Sequence, residues 1–281
     1  MKTKLTILLA IAISFVAEAQ SPEACTETLS LMASSVKAKD PSAYDFLTTL
    51  RKECPSFHKG IYSYGEFAIK LKIDNAKDVV EKEKYVRDLM KLYDEFALYF
   101  PENSKGTAME KGLALFNYNV GSKEEVFNLF DKSFKSDNAN FDNTRAIYAY
   151  FELFVNDYKA EKKGITLQQV FDKYDDINEK LDVLQKEDSS EKDVLLAKEE
   201  AGQTLDSKEE RARKKIDANL ENISIVTSSM DAIIVELSTC DKLIPFYEKS
   251  FLENKTNEVW LKRAADRLEA KECDGDPLFS K

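Results

Sequence analysis

Four thiols carry the most reactive chemistry in this chain: Cys25, Cys54, Cys240 and Cys273. No two of them form a C-x-x-C, the spacing of a thiol–disulfide exchange site, and zinc ligands normally come as closely spaced pairs. Bridges fit the spacing better. Asp40-Pro41 reads as a helix N-cap followed by Pro at the first helical position, so two helices meet near residue 39. Cys25 and Cys54 then lie about 14 residues out on either arm, roughly 20 Å at 1.5 Å per residue, which returns them to the same level. Cys240 and Cys273 repeat the layout around the polar break Asn254–Asn257. The expected disulfides are Cys25–Cys54 and Cys240–Cys273, each stapling the open end of an antiparallel helix pair.

The remaining candidates are weaker. His58 is the single imidazole. A Cys–His nucleophile would need Cys54 as a free thiolate, and the bridge occupies it, so His58 reads as structural or surface. Asp172, Asp175, Asp176 and Glu179 span two helical turns, a set able to bind Ca²⁺ or to share a proton in acid–base catalysis. On so charged a helix a solvated face is expected. Gly60 and Gly65 flank Ile61-Tyr-Ser-Tyr64 too loosely for a phosphate cradle, and there is no P-loop, dinucleotide fingerprint, nucleophile elbow or H-E-x-x-H. No catalytic, cofactor-binding or metal-ligating residue is expected, and no enzymatic activity. Asn222-Ile-Ser224 and Asn254-Lys-Thr256 match the N-glycosylation sequon.

Disulfides persist in oxidising compartments, and the start of the chain supplies the address. Lys2 and Lys4 precede an apolar run from Leu5 to Val16, followed by Ala17-Glu18-Ala19 with small residues where a signal peptidase reads. The run is too short for the roughly 20 residues that cross a bilayer. Residues 1–19 are therefore expected to be a signal peptide cleaved before Gln20, delivering the protein to the periplasm or the medium. No later stretch is apolar for 18 residues, so no membrane insertion is expected after cleavage. The formal charge of −10 disfavours nucleic acid and anionic membrane surfaces as partners.

The elements that position these groups read as helices. With 8 Gly and 6 Pro in 281 residues, a turn-rich all-β chain is excluded. Apolar residues recur at three and four, as in Leu89, Leu92, Tyr93, Phe96, Phe100 and in Val126, Leu129, Phe130, Phe134. Ser122…Glu125, Thr166…Gln169 and Ser207…Glu210 fit capping boxes, while Pro55, Pro101, Gly121 and Gly164 mark stops. The expected helices are 22–38, 41–53, 58–73, 79–100, 105–118, 123–136, 143–161, 167–198, 208–238, 240–253 and 257–271.

A short motif recurs on them. Leu92-Tyr-Asp-Glu-Phe96, Leu129-Phe-Asp-Lys-Ser133, Val170-Phe-Asp-Lys-Tyr174 and Phe246-Tyr-Glu-Lys-Ser250 are spaced by 37, 41 and 76, the last about two periods. Such periods point to stacked helix hairpins, each burying its apolar stripe against the next. Residues 186–215 hold 17 charged residues in 30. Apolar stripes lead into and out of this stretch, so it reads as the solvated tip of a long hairpin bending at Gly202, with i,i+4 pairs such as Glu210–Lys214. Asp276-Pro277-Leu278-Phe279 repeats the start signal of Asp40-Pro41, which suggests the front portion of a longer array.

The Ala-Gln signal end, Cys54-Pro55, Leu92-Tyr-Asp-Glu-Phe96 through Phe100-Pro101, Leu243-Ile-Pro-Phe-Tyr-Glu-Lys249, Trp260-Leu-Lys-Arg-Ala-Ala265 and Cys273 through Phe279 together resemble exported tetratricopeptide-repeat proteins of Bacteroidota. Trp260 and Ala264 match the first helix of that repeat; its Leu-Gly step and Tyr are not kept. The resemblance implies an all-α, right-handed helix-hairpin solenoid continuing past residue 281, with protein–protein interaction as its function and no catalytic residues. The expected organisation is a signal peptide 1–19, a repeat array 20–165, a long charged hairpin 166–238 and a stapled helix pair with the start of a further repeat 239–281. The expected function is a non-enzymatic scaffold in the cell envelope that grips a protein partner. The alternative is a small-ligand or peptide-binding module with an aromatic groove around Phe141, Tyr148, Tyr150 and Phe151.

Overall fold

The computed structural model describes residues 21–256, 258–273 and 275–280; the expected signal peptide lies outside them. Among the described residues there are eleven α-helices and no strand. The chain divides between Thr107 and Ala108 into two compact units. The first holds α1 (Pro22–Lys37), α2 (Ala43–Glu53), α3 (Gly60–Asp74) and α4 (Val79–Tyr99). The second holds α5 (Thr107–Tyr118), α6 (Lys123–Ser136), α7 (Thr144–Lys159), α8 (Leu167–Glu200), α9 (Ser207–Leu237), α10 (Cys240–Asn254), α11 (Glu258–Glu269) and a 3₁₀ turn, Pro277–Ser280. Every helix expected from periodicity is present, with ends displaced by at most two residues.

Local chemistry sets the ends. Asp40 Oδ1 accepts from Ser42 N at 2.9 Å, which fixes a turn at Pro41-Ser42 and delays α2 to Ala43. Asp276 Oδ1 does the same to Leu278 N at 2.9 Å, and a 3₁₀ turn follows. Thr166 and Gln169 form the expected reciprocal box on α8. The box on α9 is shifted by one residue from the expected Ser207…Glu210. Asp206 accepts from Lys208 N and Glu209 N at 2.7 and 2.8 Å, and Glu209 reaches back to Asp206 N at 3.0 Å. A carboxylate is a stronger acceptor of backbone N–H than a hydroxyl, so it takes the N-cap.

In the first unit each helix packs on its neighbours, and α3 packs on both α1 and α2. Cys25 and Cys54 are bridged with Cα atoms 6.0 Å apart. Met32, Leu47, Leu50, Ile61, Ile69 and Leu89 are fully buried, each contributing roughly 1.5–3 kcal/mol by leaving water. Gly65 permits the close approach of α2, α3 and α4. A Cβ there would lie 2.7 Å from Leu47 Cδ1 and 3.3 Å from Leu92 Cδ1.

In the second unit α6 and α7 pair around an aromatic cluster, with Phe130 and Phe141 edge-on at 6.0 Å and Phe134 and Phe141 at 5.7 Å. The long helices α8 and α9, 34 and 31 residues, pack on each other and both pack on α7. They are joined by 201–206, where Gly202 takes φ +73°. Toward that tip only Leu195 and Ile216 are buried. Beside the i,i+4 pair Arg213–Asp217 on α9, at 3.8 Å, the hairpin's ion pairs join its two helices. Lys192 meets Asp217 at 2.6 Å, Lys198 meets Glu209, and Arg213 meets Glu199. Cys240 and Cys273 bridge the start of α10 to the end of α11, Cα atoms 5.6 Å apart.

Candidate binding clefts

The groups singled out for chemistry mostly hold helices together. All four cysteines are in the two bridges. His58 Nδ1 accepts from Gly60 N at 2.9 Å and caps the start of α3. Of the acidic set, Asp175 departs from the expected solvated face. Its side chain is 18% exposed and lies between Arg263 and Arg267 of α11, at 3.0 and 2.6 Å. Arg267 also stands 4.6 Å over the Phe171 ring, so α11 is clamped to α8 by charge and by ring. No group of three or more His, Cys, Asp or Glu side chains is gathered for a metal among the described residues.

The expected aromatic groove does not form. Phe141, Tyr150 and Phe151 are fully buried, so they are core, and Tyr148 is half-buried with its hydroxyl 3.5 Å from Glu152 Oε1. The reason is local: Tyr150 and Phe151 sit on the α7 face that meets α6 and α8, where burying rings is worth more than exposing them. Instead Tyr150 centres a polar network that sequence reasoning missed. Its hydroxyl donates to Asp131 Oδ1 at 2.6 Å and accepts from Lys173 Nζ at 2.6 Å, while Lys135 meets Asp131 Oδ2 at 2.8 Å. The Lys173 ammonium lies 4.6 Å from the Tyr150 ring centroid, 5.5 Å from Phe134 and 5.6 Å from Phe154, inside a cage of rings. Burial lowers the Lys173 pKa against the pull of Asp131. Burial first, and Asp131 second, raise that of Tyr150.

The first unit has a matching lock. Arg51 of α2 forks onto Glu95 of α4 through Nε and Nη2, both 2.7 Å, and onto Asp88 through Nη1 at 2.9 Å. Tyr44 donates to the other Asp88 oxygen at 2.9 Å. Burial alone would lower the Arg51 pKa, yet the two carboxylates hold it above its ordinary value. The signal for both locks was present in the recurring motif, whose third and fourth residues include Asp131, Lys173 and Glu95; nothing in one sequence said which helix they would reach.

Among the clefts of the second unit, two contrast in character. The larger, about 510 Å³, is bounded by α5, the start of α7 and α9. Asn117, Asn143, Asn219 and Asn222 line it with Glu110, Asp142, Arg145 and Lys215. The smaller, about 210 Å³, is apolar and lies among α10, α11 and the final 3₁₀ turn, between Tyr247, Phe251, Trp260, Ala265 and Leu278. No family model, curated protein or solved structure matches the chain.

Proposed function

We propose that this chain is a non-enzymatic, exported helical-repeat scaffold that binds a protein partner in the cell envelope. One observation carries the reading: three clusters of carboxylates, cations and one phenol, Arg51–Asp88–Glu95, Asp131–Tyr150–Lys173 and Asp175–Arg263–Arg267, cross-link helices, and none of these residues lines either cleft. Catalytic groups must be free to meet a substrate, and these are spent on rigidity. Two bridges suit an oxidising compartment. Within each unit the most extensive helix contacts are between elements one or two apart along the chain, with the α8–α11 clamp in addition, and neighbour-to-neighbour packing is what a tetratricopeptide-like stack uses.

The apolar cleft beside α10 and α11 offers a place for a partner's side chains, with Leu252 of α10 exposed nearby in sequence. Affinity capture from envelope extract tests the reading when the mature chain is run beside Ala265→Glu, which puts a charge into that cleft. Recovery of one protein by the natural chain, and its loss with the variant, supports the proposal. Recovery of a retained small molecule with no protein, or turnover of a substrate, would overturn it.

A further inference from the structure

We infer that the polar cleft between α5, the start of α7 and α9 is a binding site for a short extended peptide segment carrying both signs of charge. The inference stands apart from the apolar cleft, with which it shares no residue.

Polar faces of two helices make the walls of the cleft. Glu110, Leu113 and Asn117 lie at i, i+3 and i+7 on α5, and Lys215, Asn219 and Asn222 at i, i+4 and i+7 on α9. Each set is one helix face, with Asn117, Lys215 and Asn222 exposed and Glu110 and Asn219 half-buried. The apolar stripe of α9 runs beside the polar one, at buried Ile216, Ile223 and Val226. Met109 and Leu113, 4% and 6% exposed, supply an apolar contribution to the lining.

Size and chemistry then select the occupant. Seven residues of helix rise about 10 Å, and both walls have that length. It is the reach of roughly three extended residues. A carboxamide offers donors and an acceptor together, which complements the N–H and C=O groups of an extended backbone. The Asn143 carbonyl is taken by Arg145 N and Ala146 N, at 3.0 and 3.2 Å, which leaves its NH₂. Asn219 is hydrogen-bonded to Asp188. Asn117 and Asn222 line the cleft with exposed side chains. The lining holds two cations, Arg145 and Lys215, and two anions, Glu110 and Asp142, and beside it Lys180 interacts with Asp142 and Asp188 with Lys215, so the charge is balanced in a chain of formal charge −10. Balance disfavours a polyanion and suits a segment with both signs. The Arg145 guanidinium lies 5.8 Å from the Phe116 ring centroid, which restricts its swing. No aromatic ring is among the lining residues, so the cleft lacks the platform on which a nucleobase would stack.

The test uses the mature protein, the doubly blocked tripeptide Lys-Ala-Glu, the blocked tripeptide of three alanines, and maltotriose as a saccharide control. Amide chemical shifts and calorimetry are read for the natural chain and for Asn117→Ala/Asn222→Ala, whose circular dichroism establishes that it is folded. The Lys-Ala-Glu peptide is expected to saturate at millimolar concentration, to move the amides of 142–145, and to bind the double variant about tenfold more weakly. The three-alanine peptide binds less well than Lys-Ala-Glu, and Ala265→Glu leaves the signal intact, which separates this site from the partner-binding cleft. Absence of saturable peptide binding, equal affinity for the double variant, or binding of maltotriose in place of the peptide would overturn the inference.

Discussion

Cys25→Ala/Cys54→Ala opens a loop that the bridge closes across 29 residues, and Cys240→Ala/Cys273→Ala one across 33. With a loop-closure entropy near −2.1 − 1.5R ln n cal/mol/K, the bridges contribute roughly 3.6 and 3.7 kcal/mol at 25 °C. Chain entropy therefore predicts equal losses. Packing predicts otherwise: Cys25 and Cys54 are 3% and 4% exposed, whereas Cys240 is only half-buried beside a buried Cys273. If sulfur burial dominated, the first pair would be the more damaging to remove. Urea titration of the natural chain and both variants, followed by circular dichroism without reductant, separates the two causes. Each variant is expected to lose about 3–4 kcal/mol, with the two losses agreeing within about 1 kcal/mol. For a unit of the first one's size that loss lowers Tm by roughly 12 °C or more. Losses below about 1 kcal/mol in both variants would refute stapling, and a first-pair loss far above the second would refute the entropic account.

Three further perturbations probe the packing. Arg51→Met strands Asp88 and Glu95, whose side chains are 18% and 33% exposed. Breaking a fully buried pair costs about 3–5 kcal/mol and an exposed one under about 1, so roughly 2 kcal/mol is expected from urea unfolding; a loss under about 0.5 kcal/mol would count the lock as ornamental. Gly112→Ala places a Cβ 2.5 Å from Cε1 of fully buried Phe130, and a loss of about 1–3 kcal/mol in the same assay is the expected overpacking. Asp131 tests the pH dependence: burial opposes its charge, but Lys135, Tyr150 and Lys173 together hold its pKa below the ordinary 3.8. The folded chain then binds fewer protons than the unfolded one, so this stabilisation is complete above the unfolded value and is lost as pH falls through the lower, folded one. Natural-chain stability is expected to fall more steeply than that of Asp131→Asn across the acid range, and parallel curves would refute the assignment.

Helices and bridges were readable because each follows from chain-local chemistry. Three-and-four periodicity, a cap such as Thr166 with Gln169, and a turn at Lys39 equidistant from two cysteines all sit within a few tens of residues of what they determine. The groove expected around Phe141, Tyr148, Tyr150 and Phe151 was misread for the opposite reason. Periodicity tells which face of α7 is apolar but not whether α6 and α8 both cover it, and here both α6 and α8 pack against α7. Asp175 was misread likewise, because its partners Arg263 and Arg267 stand some ninety residues away on α11. The polar cleft was invisible too: its walls come from α5, α7 and α9, and no spacing along the chain reports their meeting.

The recurring motif makes sense once its residues are sorted by what they touch. Its second residue is a buried ring in all four copies: Tyr93, Phe130, Phe171 and Tyr247. A ring there supplies apolar area and holds the helix against its neighbour. The residues after it stand at the edge of that contact, where a polar side chain reaches the adjoining helix while staying partly wet. Glu95 takes Arg51 in this way, Asp131 and Lys173 take Tyr150, and Tyr174 takes Asp231. Asp131 and Lys173 belong to consecutive copies and meet on one phenol of the helix between them, so each copy constrains the placement of the next. Apolar contact alone tolerates sliding of one helix along another. A hydrogen bond from a fixed ring to a carboxylate does not, because its strength falls steeply with distance and angle. A chain that keeps aromatic, acidic and basic residues together at this spacing therefore specifies the register of its helices, and the shape of any cleft between those helices depends on that register.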